Sequence, residues 1–164
     1  MGKRSVKENK NIYQRSRENR GLSREAAAEE LVYLSADRIE KIESGRSEPH
    51  PDEVLAMERG YGDPELCNYY CAHECPIGRK YVPAAALKDF AQVTVELLSS
   101  VHKLEEERDS LIAIAVDGRV NDFERRDFDR ILEKLSAVDR SIRGMRIWLE
   151  HAAQTGKLDE ALDL

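Results

Sequence analysis

Residues 22–49, LSREAAAEELVYLSADRIEKIESGRSEP, decide the reading of this chain. Ser23 stands where a helix N-cap is wanted, and its hydroxyl can accept from the backbone N–H groups of the first turn. Ser35 does the same for a second helix, on which Ile39 and Ile42 fall three apart on one face. Gly45 follows that helix at the position where a residue of positive φ closes it. The spacing therefore predicts helices over 24–31 and 36–44, joined by the short segment VYLS, which has no glycine. Two short helices joined so tightly can hold the second in a DNA major groove.

Working outward, Asn11 with Gln14 three residues later forms a capping-box pattern, so a first helix is expected over 12–20, ending near Gly21. Pro51 suits the first position of a fourth helix over 52–59, with Asp52 and Glu53 complementing its dipole. Gly60 and Gly62 end it. Asp63 then caps a fifth helix, with Pro64 in its first turn and Pro76 as its stop. Residues 76–83, PIGRKYVP, read as a linker with two prolines, one glycine and no periodicity.

Beyond the linker, apolar residues repeat at steps of three and four through Leu87, Phe90, Val93, Leu97, Leu98, Val101, Leu104 and Leu111. Asp117-Gly118 marks a turn, and Asn121 with Glu124 supplies another capping box. A second long helix is expected from there to about 154, through Phe128, Ile131, Leu132, Leu135, Val138, Ile142, Met145 and Leu149. Two such helices cannot bury their apolar seams well alone; they want a third element or a second copy of themselves. Trp148 lies on this apolar face.

Composition bounds the class. The chain has 164 residues, 35% of them charged and 6% aromatic, a balance typical of helical proteins. The longest apolar run is LIAIAV at 111–116, far below membrane length. The basic N-terminus has no apolar stretch behind it, so no secretory signal is expected and the cytoplasm is the expected compartment. Net charge is −6, but residues 1–24 hold eight Lys or Arg against Glu8 and Glu18. The two ends of the chain would thus meet an anionic polymer differently. Residues 1–10 read as a basic flexible tail.

Cys67, Cys71 and Cys75 stand four residues apart with His73 among them. An odd number of cysteines within nine residues does not resemble a disulfide framework. On one continuous helix the first and last sulfurs would lie on the order of 12 Å apart at ~1.5 Å rise per residue. One zinc spans thiolates no more than about 4.6 Å apart, so zinc requires the helix to break before Cys75. An iron–sulfur cluster spans such spacing more easily but wants a fourth ligand, which His73 or a distant residue could supply. The alternative is that the thiols are small buried apolar groups. Both readings stand on the spacing alone.

Two further signals are set aside. The segment around Asp117-Gly118 and Glu124 has the offsets of half a calcium loop, but Ala113 and Ala115 occupy its first and third ligand positions. His102 and His151 are isolated on helical patterns. No Gly-rich phosphate loop, nucleophile–base pair or carboxylate dyad occurs, so a non-enzymatic protein is expected.

The run from Leu22-Ser23 through Ile39, Ile42-Glu43, Gly45 and Pro49 resembles the Cro/repressor-like (XRE) helix-turn-helix family over roughly residues 11–62. That resemblance implies an all-α protein: a five-helix repressor-like DNA-binding domain over 11–75, including the Cys-bearing fifth helix. The linker at 76–83 and a long helical hairpin at 84–164, expected to oligomerise, complete the chain. It also implies a transcriptional regulator bound as a homodimer to palindromic double-stranded DNA, with half-site centres about 34 Å apart. The base-reading face would be Ser35, Ala36, Asp37, Glu40 and Lys41, with Arg24 bracing the backbone and Arg46 meeting phosphate. The chain departs from the family pattern in a turn one residue longer, with Val32 as the extra residue, and in carboxylates on the reading helix. Asp37 and Glu40 can accept from cytosine but otherwise repel phosphate. Glu43 matches a structural position. Two competing functions follow: a metal- or cluster-gated redox sensor on the same scaffold, and a protein-docking module with weakened DNA affinity.

Overall fold

In the computed structural model, which describes residues 10–116 and 118–158, the caps read from the sequence close the helices they were assigned to. Asn11 Oδ1 accepts from Gln14 N at 3.0 Å and opens α1 (Ile12–Asn19). Ser23 Oγ accepts from Ala26 N at 3.1 Å and opens α2 (Arg24–Leu31). Ser35 Oγ accepts from Arg38 N at 3.2 Å and opens α3 (Ala36–Glu43). Pro51 is the first residue of α4 (Pro51–Tyr61), and the Glu53 carboxylate reaches back to His50 N at 2.7 Å. Gly60 does not end α4; it lies inside, and Gly62 closes the helix in the left-handed conformation.

The glycine after α3 has the conformation its position requires. Gly45 has φ 71°, and the Gly45 and Arg46 amides donate to the Ile42 and Lys41 carbonyls at 3.1 and 2.9 Å. This paired closure satisfies two otherwise orphaned carbonyls of α3.

The first unit comprises the chain up to Val82 together with the segment from His151 onward. Its core is Tyr13 from α1, Ala27 and Leu31 from α2, Leu34 from the turn, Ile39 and Ile42 from α3, Val54, Met57 and Tyr61 from α4, and Leu66. Both isoleucines of α3 point inward as their spacing predicts, so the opposite side of that helix faces solvent. The tail expected at 1–10 lies outside the described residues except for Lys10, which pairs with Glu18 at 2.6 Å.

Where the fifth helix was expected, the backbone changes pitch. α5 (Leu66–Tyr69) passes into a π-helical turn over Tyr70–Glu74, in which Cys75 N donates to Tyr70 O at 2.9 Å. The 76–83 segment is not extended throughout, because it contains one helical turn, α6 (Gly78–Tyr81). Gly78 allows that turn to approach: a Cβ there would lie 2.2 Å from the Cys71 carbonyl oxygen. Backbone packed that closely excludes any larger residue.

The second unit, Pro83–Glu150, holds α7 (Phe90–Glu105), α8 (Arg108–Ala115) and most of α9 (Arg125–Gln154). The first expected long helix is thus two helices, broken at Glu106–Glu107. α7 runs antiparallel to α9. Phe90 stacks on Trp148 with ring centroids 4.3 Å apart, Gly144 faces Val93, and Glu107 meets Arg130 and Lys134 at the far end. Asn121 caps the approach to α9, accepting from Glu124 N at 3.1 Å while Glu124 returns a bond to Asn121 N at 3.0 Å. Asp117, in the expected turn, lies outside the described residues.

Candidate nucleic-acid interface

The reading helix is held in place by charges rather than by its isoleucines alone. Glu43, at the inner end of α3, is buried. Its carboxylate accepts from Arg17 of α1, with Nη2 at 3.0 Å, and from Arg24 Nε of α2 at 2.8 Å. Burial works against the Arg17 charge, but the Glu43 carboxylate more than restores it, so the guanidinium pKa lies above its ordinary value. A buried carboxylate with two guanidinium partners ties three helices into one body. Arg24, expected to brace the DNA backbone, therefore faces inward through its Nε while remaining about one-third exposed.

Arg38 is fixed in the same way on the other flank of α3. Its Nε and Nη2 reach the two Glu53 oxygens of α4 at 2.6 Å each, and Nη2 also meets the Glu48 carbonyl at 2.9 Å. Burial pushes Glu53 up, yet Arg38 and the His50 amide outweigh it and its pKa falls below the ordinary carboxylate value.

What remains outward is Ser35, Asp37, Lys41 and Ser44, with Ala36 and Glu40 half-buried beside them. Lys41 Nζ pairs with Asp37 at 2.6 Å, one helical turn away, and Arg46 pairs with Glu40. The Lys41 ammonium holds the Asp37 carboxyl below its usual range. The presented face is thus electrically balanced, each cation matched by a carboxylate. Such exposed pairs hold weakly and can exchange one partner for a phosphate. On α1, Arg15 and Arg20 are exposed and have no carboxylate partner among the described residues.

The turn before α3 is built around the extra residue. Val32 has φ 62° and ψ −41°, and Tyr33 N donates to Leu31 O at 2.7 Å, a three-residue γ-turn. A β-branched residue at positive φ is strained. Val32 gains no burial in return, being 87% exposed. Tyr33 crosses to α4 and donates to the Asp52 carbonyl at 2.8 Å, bracing the turn from outside.

The cysteine segment does not assemble the expected ligand set. Among the described residues no group of three or more His, Cys, Asp or Glu side chains could hold a metal ion as arranged. His73 stacks against the Tyr69 ring at 4.6 Å, Cys75 Sγ accepts from Gly78 N at 3.4 Å, and Cys67 and Cys71 are half-buried. The neighbouring Glu74 accepts from the buried Tyr13 hydroxyl at 2.7 Å, so this segment packs on α1. Burial first, and then that bond to Glu74, push the Tyr13 hydroxyl pKa up.

Residues 14–72 match a family model described as a helix-turn-helix domain. No curated protein and no solved structure matches the chain. The N-terminal unit is accordingly a helix-turn-helix domain, a class of module that binds DNA. No helix among the described residues is long and apolar enough to cross a membrane.

Proposed function

We propose that this chain is a sequence-specific DNA-binding regulator of transcription that acts as a homodimer, with α3 as the helix entering the major groove. The observation that carries this reading is the outward presentation of α3 in a domain that matches a helix-turn-helix family. Two isoleucines and Glu43 are turned inward, and a row of short polar and charged side chains faces out. Ser35, Ala36, Asp37, Glu40 and Lys41 are the proposed base-facing set, because they occupy the solvent side of the helix. Lys41 and Arg46 exchange their carboxylates for phosphates on binding. Arg15 and Arg20 add phosphate contacts at no cost of a broken pair.

The charge balance of α3 favours a second reading, a docking module for another protein with residual DNA affinity. Fluorescence anisotropy with a random duplex, followed by selection from a random DNA pool, separates the two. The expected result is binding that weakens steeply with salt and the recovery of an inverted repeat. Replacing Arg15 and Arg20 together by Ala should lower the salt slope by about two, one per phosphate contact. Weak binding indifferent to salt would establish the docking reading instead.

A further inference from the structure

We propose that the α7–α9 hairpin is covered by a second copy of this chain, and that the covered face is a single apolar surface shared by both helices. The inference deepens the dimeric reading above by assigning its interface.

On α7 the seam against α9 is formed by Val93, Leu97, Ser100 and Leu104, buried or half-buried at steps of three and four. Counted at about 100° per residue, Phe90, Val101 and Leu98 follow that seam by about 40–120° around the helix. They are 52%, 48% and 65% exposed. On α9 the residues that meet α7 include Arg130, Lys134, Gly144 and Trp148. Val138 and Met145, then Leu135 and Ile142, follow them by about 80–130° in the same rotational sense. Leu135 and Ile142 are each 41% exposed. In antiparallel helices equal senses of rotation bring both stripes to the same side of the pair. Five large apolar side chains therefore lie on one surface, open to solvent.

Their combined exposed area is on the order of 500 Å², which meets the apolar share of a standard interface of about 800 Å² per partner. It also lies near the upper end of what a monomer leaves uncovered. The hairpin's own interior is correspondingly thin: Val93, Ile114, Ile131 and Ile147 are the large apolar residues of Pro83–Glu150 that are buried. A second hairpin offers the matching surface, and packing it face to face gives a four-helix bundle, the standard way to complete two amphipathic helices. The charges of α7 that pair, Lys88 with Glu96, lie off this face, so association strands no ion there.

Sedimentation velocity of the full-length chain, without DNA, over roughly 1–100 µM is the test. The wild type should sediment at about twice the 18.7 kDa chain mass. Leu98→Lys combined with Ile142→Lys should raise the dimer dissociation constant at least about a hundred-fold while circular dichroism stays helical, because each ammonium would enter the apolar centre. Ser99→Lys, exposed on the other side of α7, should leave the dimer intact. If the double variant loses helicity, Leu98→Ser carries the same expectation at about ten-fold. A wild type monomeric at 100 µM overturns the proposal, as does a folded double variant that still dimerises. A dimer that fails to bind DNA would sink the functional reading alone, and a DNA-binding monomer would sink this inference alone.

Discussion

The two units treat their side chains in opposite ways. The helix-turn-helix unit buries ten apolar residues in one cluster and closes every charge near its reading helix on a partner within the unit. The hairpin unit buries few, leaves Leu98, Leu135 and Ile142 at its surface, and spends its one buried carboxylate, Glu107, on fixing how α7 meets α9. A module that must present one rigid helix needs its interior finished by its own chain. A module that joins copies needs an interior left incomplete. The contrast assigns recognition to the first unit and association to the second.

The strongest way to break that contrast is to damage the charge network of the first unit. Replacing Glu43 by Ala leaves the Arg17 guanidinium buried without its carboxylate and unties α1, α2 and α3. The expected loss is roughly 3–5 kcal/mol, because an unpaired buried charge is left behind rather than a contact merely lost. Urea unfolding followed by circular dichroism measures it. A loss below about 1 kcal/mol would mean that the apolar cluster alone positions α3.

That network also marks where sequence reading stopped. The caps at Asn11, Ser23, Ser35 and Asn121, the proline at 51 and the glycine at 45 were legible because each acts within one helical turn of itself. Val32 as the surplus residue was legible by register. The inward-facing Glu43 was legible as structural, but Arg24 was assigned to DNA because its partner lies 19 residues away on another helix. Arg38 escaped for the same reason: its fixing carboxylate, Glu53, comes from α4. The π-helical turn at Tyr70–Glu74 and the break at Glu106–Glu107 carry no proline or glycine inside them, so tertiary packing rather than local propensity decides them. The cysteine spacing was equally compatible with ligation and with packing, and only the side-chain positions distinguish them.

A smaller effect is expected in the second unit on acidification. The Arg130 guanidinium and the Lys134 ammonium hold the Glu107 pKa down to about 2, from an ordinary value of 4.5. A carboxylate with a depressed folded-state pKa stabilises the fold fully above its unfolded value, and that contribution disappears as pH falls from about 4.5 toward 2. The single tryptophan, Trp148, lies at the opposite end of the α7–α9 seam and reports on the hairpin. Its fluorescence-monitored stability should fall across this window in the wild type and fall less in Glu107→Gln, which has no charge there to lose. Parallel curves for the two proteins would remove Glu107 as the clamp of the hairpin.

The smallest effect sharpens the contrast from the other direction, by improving the first unit. Val32 adopts positive φ with its side chain in solvent, so the fold bears its strain without any packing in exchange. The left-handed conformation costs an L-residue about 1–2 kcal/mol, and glycine escapes it while losing about 0.5–1 kcal/mol of chain entropy on folding. Val32→Gly should therefore stabilise the protein by up to about 1 kcal/mol, seen as a rise of a few degrees in Tm. If stability falls instead, the valine side chain makes a contact that its exposure conceals, and the extra residue belongs to a surface rather than to a turn. If stability rises while DNA affinity drops, the stiffness of this turn sets the angle at which α3 meets the groove, and the strain is kept because recognition depends on it.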